Sequence, residues 1–198
     1  MESYKKGMPM SEHICPWWAG YFLVGPLRRW MQDPDKLLAP YVTPGMLVLE
    51  PGPGMGFFTL PLARRVGSGR VVAVDVQARM LEALRRRAKR AGFSQRIETR
   101  LAPPESLNVK DLDGQFDFVL TVAVVHELPS AENFFREAQA ALKPGGRLLL
   151  AEPEGHVKQE KFEEELAFAA MAGLALIARP AIKRCLAAEF VKKSGGGG

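Results

Sequence analysis

From position 46 onward the chain alternates short strand-like runs with longer segments in which apolar residues recur every three or four positions. Strands are expected near 46–50, 71–75, 96–100, 116–122 and 146–152, and helices near 56–66, 77–91, 130–142 and 158–173. On the second of these helices Met80, Leu81, Leu84, Ala88 and Ala91 share one stripe, which places Arg85, Arg86 and Arg90 mostly on the opposite, wet face. Ser130 is suited to cap the third helix, where Phe134, Ala138 and Leu142 repeat at four-residue spacing. Lys143-Pro144-Gly145-Gly146 then stops that helix and turns into the strand Arg147 to Ala151. Strands and helices in strict alternation imply a parallel sheet covered on both faces.

The C-terminal end departs from this rhythm. Leu174 to Arg179 and Ile182 to Val191 are separated only by Pro180-Ala181. A parallel crossover needs a dozen residues or more, so these two runs must form an antiparallel hairpin. The expected fold is therefore α/β, doubly wound, with a mostly parallel seven-stranded sheet and a C-terminal antiparallel hairpin. Three segments are expected: an aromatic-rich N-terminal cap over 1–40, the main domain over 41–193, and a tail over 194–198 whose run of glycines looks like a linker or cloning scar.

Size and composition narrow the class. At 198 residues the chain suffices for one α/β domain and is too short for two ordinary ones. Its net charge of +5 is modest, and the basic run Arg85-Arg86-Arg87-Ala88-Lys89-Arg90 reads as a solvated helix face more readily than as a nucleic-acid footprint. Cys15 and Cys185 lie far apart and form no CxxC, which fits a reducing, cytoplasmic setting. No run approaches the ~20 apolar residues of a membrane span. The stretch Ile14 to Leu27 is interrupted by Pro16, Gly20, Gly25 and Pro26 and makes a poor signal peptide.

The richest chemistry lies in Val48-Leu49-Glu50-Pro51-Gly52-Pro53-Gly54-Met55-Gly56. An apolar run ends in a carboxylate and passes at once into alternate glycines, then into a helix. Such a turn bends sharply and lets a ligand approach the backbone without Cβ clashes. The spacing is G-x-G-x-G, not the G-x-G-x-x-G of dinucleotide enzymes. Farther along, Val71-Val72-Ala73-Val74-Asp75 closes a second apolar strand on one acid, which in doubly wound sheets faces the hydroxyls of a bound ribose. Together the two features point to a nucleoside-bearing cofactor across the first two strands.

These residues resemble the class I, seven-stranded S-adenosylmethionine-dependent methyltransferases over about residues 40–193. The likeness rests on the glycine turn, on Val74-Asp75, on Phe116-Asp117-Phe118-Val119-Leu120 and on Leu142-Lys143-Pro144-Gly145-Gly146-Arg147-Leu148. Val125-His126-Glu127-Leu128 and Leu149-Leu150-Ala151-Glu152-Pro153 are similar to the branch acting on small molecules and quinones. The resemblance implies S-adenosylmethionine as cofactor, with Glu50 holding its ammonium group and Gly52, Gly54 and Gly56 bordering its methionine and ribose. It implies that Asp75 accepts the ribose hydroxyls and that Val76 and Met80 pack on the adenine. Thr121 joins this set. Many members place an Asp after the third strand to hold the adenine amino group. Here the segment reads Arg100-Leu101-Ala102-Pro103-Pro104-Glu105, leaving backbone at Leu101 and Ala102, or Glu105, for that task.

For the acceptor, His126 follows the fourth strand, where a general base is useful, and Glu152 and His156 flank Pro153 at the carboxyl edge of the sheet. Trp17, Trp18 and Tyr21 in the leader are suited to cover an apolar or planar small molecule. His13 and Cys15 make too small a set for a metal, and none is expected. The expected activity is methyl transfer to a small acceptor, with nucleic acid the less favoured partner. Three alternatives stay open: a non-catalytic cofactor-binding subunit, an RNA methyltransferase using the Arg85–Arg90 face, and an NAD-type oxidoreductase.

Overall fold

Residues 33–194 are described by the computed structural model and carry five helices and seven strands. In chain order these are α1 (Pro34–Leu38), β1 (Leu47–Pro51), α2 (Thr59–Arg65), β2 (Arg70–Asp75), α3 (Ala78–Arg90), β3 (Ile97–Leu101), β4 (Phe116–Val122), α4 (Ala131–Ala141), β5 (Leu142–Pro153), α5 (Gln159–Met171), β6 (Leu174–Ala178) and β7 (Cys185–Lys192). Short 3-10 turns at Lys110–Leu112 and Val125–Glu127 flank β4. The strands form one sheet in the order β3-β2-β1-β4-β5-β7-β6. β7 runs antiparallel to both β5 and β6, and the other pairings are parallel. The expected doubly wound sheet with its terminal hairpin is thus observed.

Consecutive residues of the central strands serve opposite layers. Val48, Val71, Phe118 and Leu149 pack with Leu38, Leu62 and Val66 on one face. Their neighbours Leu49, Val72, Val119 and Leu148 pack with Phe134, Phe135 and Phe162 on the other. Both faces are buried, which is why these strands read as continuous apolar runs. Burying each such side chain is worth about 1.5–3 kcal/mol.

Local chemistry sets the boundaries. Ser130 does cap α4, its hydroxyl accepting from Asn133 N at 3.1 Å. Asp33 caps α1 by accepting from Asp35 N at 3.0 Å. Leu38 and Val42 are buried in one cluster, so packing runs across the expected boundary at residue 40. The α2 helix begins at Thr59 rather than near 56, because Gly54 and Gly56 take left-handed conformations (φ +53 and +87) that helices do not use. The connection in the hairpin is longer than Pro180-Ala181. Arg179 and Pro180 leave the ladder, Ile182 bridges Cys185, and Arg184 turns the chain at φ +60.

Sequence order reverses between β1 and β4. The chain walks outward through β2 and β3, then returns to pair β4 on the other side of β1. At such a switch point the loops leaving neighbouring strand ends diverge, which opens a crevice at the carboxyl edge. Among the described residues no helix is long and apolar enough to cross a membrane.

Candidate functional site

A cleft of about 420 Å³ fills that crevice, above the ends of β1, β2, β4 and β5. Glu50, Gly52, Gly54, Asp75, Val76, Met80 and Ala102 line it on the β1–β2 side, and His126 and His156 on the β4–β5 side. The structure therefore gathers these sequence-predicted residues into one space.

Glu50 ends β1 with only 4% of its surface exposed, and its Oε2 finds no hydrogen-bond donor among the described residues. Burial pushes its carboxyl up to about 8. The nearby Thr59 hydroxyl draws it down in part, and the charge of Asp75 raises it again. An acceptor left this way is costly unless a ligand satisfies it. Asp75, at the end of β2, differs in being anchored. It accepts from Gln77 N at 2.9 Å, and the Gly54 and Val76 N–H groups also favour its anion. Burial is still the larger influence and raises it to about 6, with the charge of Glu127 adding to the rise.

Two glycines between them are needed where they stand. Gly52 (φ +62) donates to Val74 O at 2.8 Å, and a Cβ there would lie 2.5 Å from Val124 Cγ2. Gly54 has nothing within 4 Å of the place a Cβ would take, so its backbone faces open cleft. Gly56 does not line the cleft. A Cβ there would strike Leu84 Cδ1 at 2.5 Å, so this residue serves the fit of the turn on α3.

The segment after β3 is held from beneath. Glu137 on α4 accepts from Leu107 N at 2.6 Å and Ser106 Oγ at 3.1 Å, and Asn133 Nδ2 donates to Glu105 O at 2.5 Å. Of the backbone groups expected to meet the adenine, Ala102 N already donates to Asp75 O at 3.1 Å and Leu101 O accepts from Asn108 Nδ2 at 3.0 Å. Glu105 stands at the cleft wall beside them.

Across the cleft, His126 sits on the 3-10 turn after β4, with Ala123 ahead of it at φ +58. Its Nδ1 contacts Glu152 Oε2, while Glu152 Oε1 accepts from Val125 N at 2.8 Å and Val124 N at 3.3 Å. Glu152 is completely buried and does not line the cleft. Its bond to His126 raises the imidazole pKa above the usual value, and desolvation opposes the rise. The charges of Glu152, Glu127 and Glu165 reinforce it. His156 is exposed, its ring centroid 6.2 Å from that of His126.

Thr121 is fully buried within β4, and its alternate neighbours Leu120 and Val122 reach the cleft instead. Trp17, Trp18 and Tyr21, with His13 and Cys15, lie outside the described residues. Two residues escaped the sequence reading. Glu137 carried no signal, since its contacts lie thirty residues back along the chain. Glu165 did carry one: it occupies the apolar stripe of α5 beside Phe162, Leu166 and Ala169. It is fully buried and neither carboxylate oxygen has a partner among the described residues; burial raises it to about 7, with the charge of Glu152 adding to this.

Charge gives the cleft its character. Glu50, Asp75, Glu105, Glu127 and Glu137 line it, and no described lining residue is Lys or Arg, although the chain carries a net +5. A buried, unsatisfied carboxylate, an open glycine backbone and an anchored acid suit a ligand bearing a cation at one end and a diol at the other. S-adenosylmethionine has those groups.

Comparison with known proteins gives the same picture. Residues 49–150, just over half of the chain, match the family described as "Methyltransferase domain". An arsenite methyltransferase of Aquipseudomonas alcaligenes is 36% identical over 122 residues, covering 59% of this chain and 35% of that protein. A ubiquinone biosynthesis O-methyltransferase of Methylocella silvestris is 33% identical over 118 residues, covering 60% and 44%. The chain thus spans less than half the length of these curated relatives. A SAM-dependent methyltransferase structure from Aquifex aeolicus superposes with a TM-score of 0.80 at 23% identity, covering 90% of this chain and all of that one, and so shares the fold.

Proposed function

Because the chain belongs to the class I S-adenosylmethionine-dependent methyltransferases, we propose that it transfers a methyl group to a small, apolar or aromatic acceptor by in-line displacement. The observation that carries this reading is the buried Glu50, whose Oε2 has no partner among the described residues, facing the anchored Asp75 across the glycine turn. When bound, S-adenosylmethionine supplies a methyl group already activated by its sulfonium.

The protein's part is binding and alignment. Glu50 holds the ammonium group, and Asp75 accepts the ribose hydroxyls. Val76 and Met80 give an apolar wall for the adenine, with Ala102 at its edge. Gly52 and Gly54 let the backbone come close. Holding two reactants in attack geometry supplies about 7–11 kcal/mol of a barrier, so alignment alone is a large effect. Acceptor contacts are assigned to the β4–β5 side, with His126 and His156, and to Trp17, Trp18 and Tyr21 of the leader, read as a cap over the cleft.

The acids at the cleft, with no Lys or Arg among its described lining residues, favour a small acceptor over a nucleic acid, since phosphate recognition rests on Lys and Arg. Calorimetric titration with S-adenosylmethionine, alongside NAD and the Asp75→Ala variant, tests the cofactor. Saturable binding of S-adenosylmethionine alone is expected, weakened about 100-fold by the substitution, because hydrogen bonds to a charged group are worth about 1.5–3 kcal/mol each. Binding of NAD instead would overturn the reading. Product formation across phenols, quinols, thiols and RNA tests the acceptor, and methylation of RNA alone would sink it.

A further inference from the structure

We propose that His126 and Glu152 form a proton-accepting dyad, in which Glu152 is a positioning residue that aims His126 Nε2 into the cleft to take the proton of a hydroxyl acceptor. This rests on the methyltransferase reading above and narrows its acceptor class.

Glu152 is engaged through both of its carboxylate oxygens. Its Oε1 takes two backbone N–H groups, Val125 N at 2.8 Å and Val124 N at 3.3 Å. Such donors favour the carboxylate over the acid. A carboxylate has no proton to give, so at the Oε2–Nδ1 contact the imidazole must be the donor. Neutral His126 therefore carries its proton on Nδ1 and leaves the Nε2 lone pair exposed. His126 lines the cleft together with Glu127, whose Oε1 lies 3.9 Å from Nε2.

Stability alone does not account for this arrangement. A buried Glu paired with a half-buried His is an expensive way to close a strand end, since such a pair at best offsets its own desolvation. The same bonds also fix the 3-10 turn, because Glu152 ties down Val124, Val125 and His126 together. One side chain from β5 thus sets both the position and the tautomer of the imidazole.

In the reaction, the hydroxyl proton passes to Nε2 as an oxygen lone pair forms the new bond to carbon. The pair of the breaking carbon–sulfur bond stays on sulfur. The imidazolium that results is stabilised by Glu152 and returns its proton to water once the product has left. A thiolate acceptor, already deprotonated, has no use for the dyad. Proton acceptance by a placed histidine is worth about 10²–10⁴-fold in rate.

Several charged or titratable groups surround the imidazole: Glu127 on its own turn, Glu152 on β5, Glu165 and Lys161 on α5, and His156 on the loop between them. The hydrogen bond to Glu152 is the largest influence and holds the imidazole above its usual 6.5, against desolvation, with the charges of Glu152, Glu127 and Glu165 adding to the rise.

Two-bond ¹⁵N–¹H spectra of the full chain test this directly. The chain has three histidines, and the His126→Gln variant identifies the resonance. The wild type is expected to show the Nδ1–H tautomer with a raised titration midpoint. In Glu152→Gln the amide NH₂ replaces an acceptor with a donor, so His126 should switch to the Nε2–H tautomer and its midpoint should fall. Glu165→Gln should lower the midpoint and leave the tautomer alone. An Nε2–H tautomer in the wild type, which needs no variant to fold, overturns the proposal, as does an unchanged spectrum in folded Glu152→Gln.

Turnover with catechol and thiophenol as probe acceptors tests the chemical class. Glu152→Gln should slow catechol methylation by about 100-fold and shift its acidic limb to lower pH, with thiophenol changed less than about threefold. Equal losses on both, or turnover of thiophenol alone or of neither, overturn the hydroxyl assignment. Calorimetry keeps the two readings apart: a wild type with the expected imidazole spectrum that fails to bind S-adenosylmethionine fails the cofactor reading alone.

Discussion

Glu50 and Glu152 hold matching places at the carboxyl ends of β1 and β5, at 4% and 0% exposure, and yet their hydrogen bonding is opposite. Glu152 is saturated, with two backbone N–H donors on one oxygen and an imidazole on the other. Glu50 is starved, with an oxygen that no described group reaches and a carboxyl raised to about 8. A satisfied buried acid is part of the architecture. An unsatisfied one is half of an interaction whose other half arrives from outside.

The sharpest way to break this contrast is to remove each acid in turn. Glu152→Ala should cost about 1–3 kcal/mol of folding stability, because it leaves two backbone N–H groups and the half-buried imidazole without their acceptor. Denaturant unfolding of the ligand-free protein reads this, and a loss under about 1 kcal/mol would mean that the acid is not integral. Glu50→Gln should behave in reverse. Affinity for S-adenosylmethionine should fall about 10-fold or more, since a charge-assisted bond is worth about 1.5–3 kcal/mol. The ligand-free melting temperature should hold or rise. A lower melting temperature with unchanged affinity would erase the distinction.

A milder effect follows from titration. Glu50, Asp75 and Glu165 are raised to about 8, 6 and 7 in the fold, above their ordinary values of 4.5, 3.8 and 4.5. A carboxyl that binds its proton more tightly when folded stabilises the fold below its unfolded pKa and loses that contribution as pH rises through the folded one. The raised His126 acts in the same sense. Ligand-free protein should therefore melt lower at pH 8 than at pH 5.5. S-adenosylmethionine should bind with proton release near pH 7, because a cation favours ionised Glu50. Its affinity should climb from pH 6 to 8 by at most about tenfold per unit. Calorimetry in buffers of different ionisation enthalpy reads the proton count, and zero release would count against Glu50.

How much of this was legible follows from sequence distance. Glu50, Gly52, Gly54 and Asp75 lie in two short segments whose roles come from local chemistry: a strand end, a turn, an acid. The order of strands was equally legible, because alternating elements and a short terminal connection leave few topologies. Thr121 shows the limit of transferring a position within a strand. One step along β4 exchanges the cleft for the core, and Leu120 and Val122 take the inward places. The dyad was the harder case. His126 and Glu152 were each singled out, but their contact spans 26 residues and arises only from the β4–β5 register, in which Val122 pairs with Ala151. No local spacing encodes that meeting. The hairpin loop was misjudged for a related reason, because Ile182 closes a tight turn with Cys185 instead of extending the strand.

The five acids among the described lining residues, with no Lys or Arg beside them, have a consequence for turnover as well as for binding. A methyl donor enters as a sulfonium cation, and the thioether it becomes carries no charge at sulfur. The walls do not change, but what they enclose is discharged by the reaction itself. Under the proposed methyl transfer, the chemical step weakens the cleft's hold on the by-product and biases the site toward emptying.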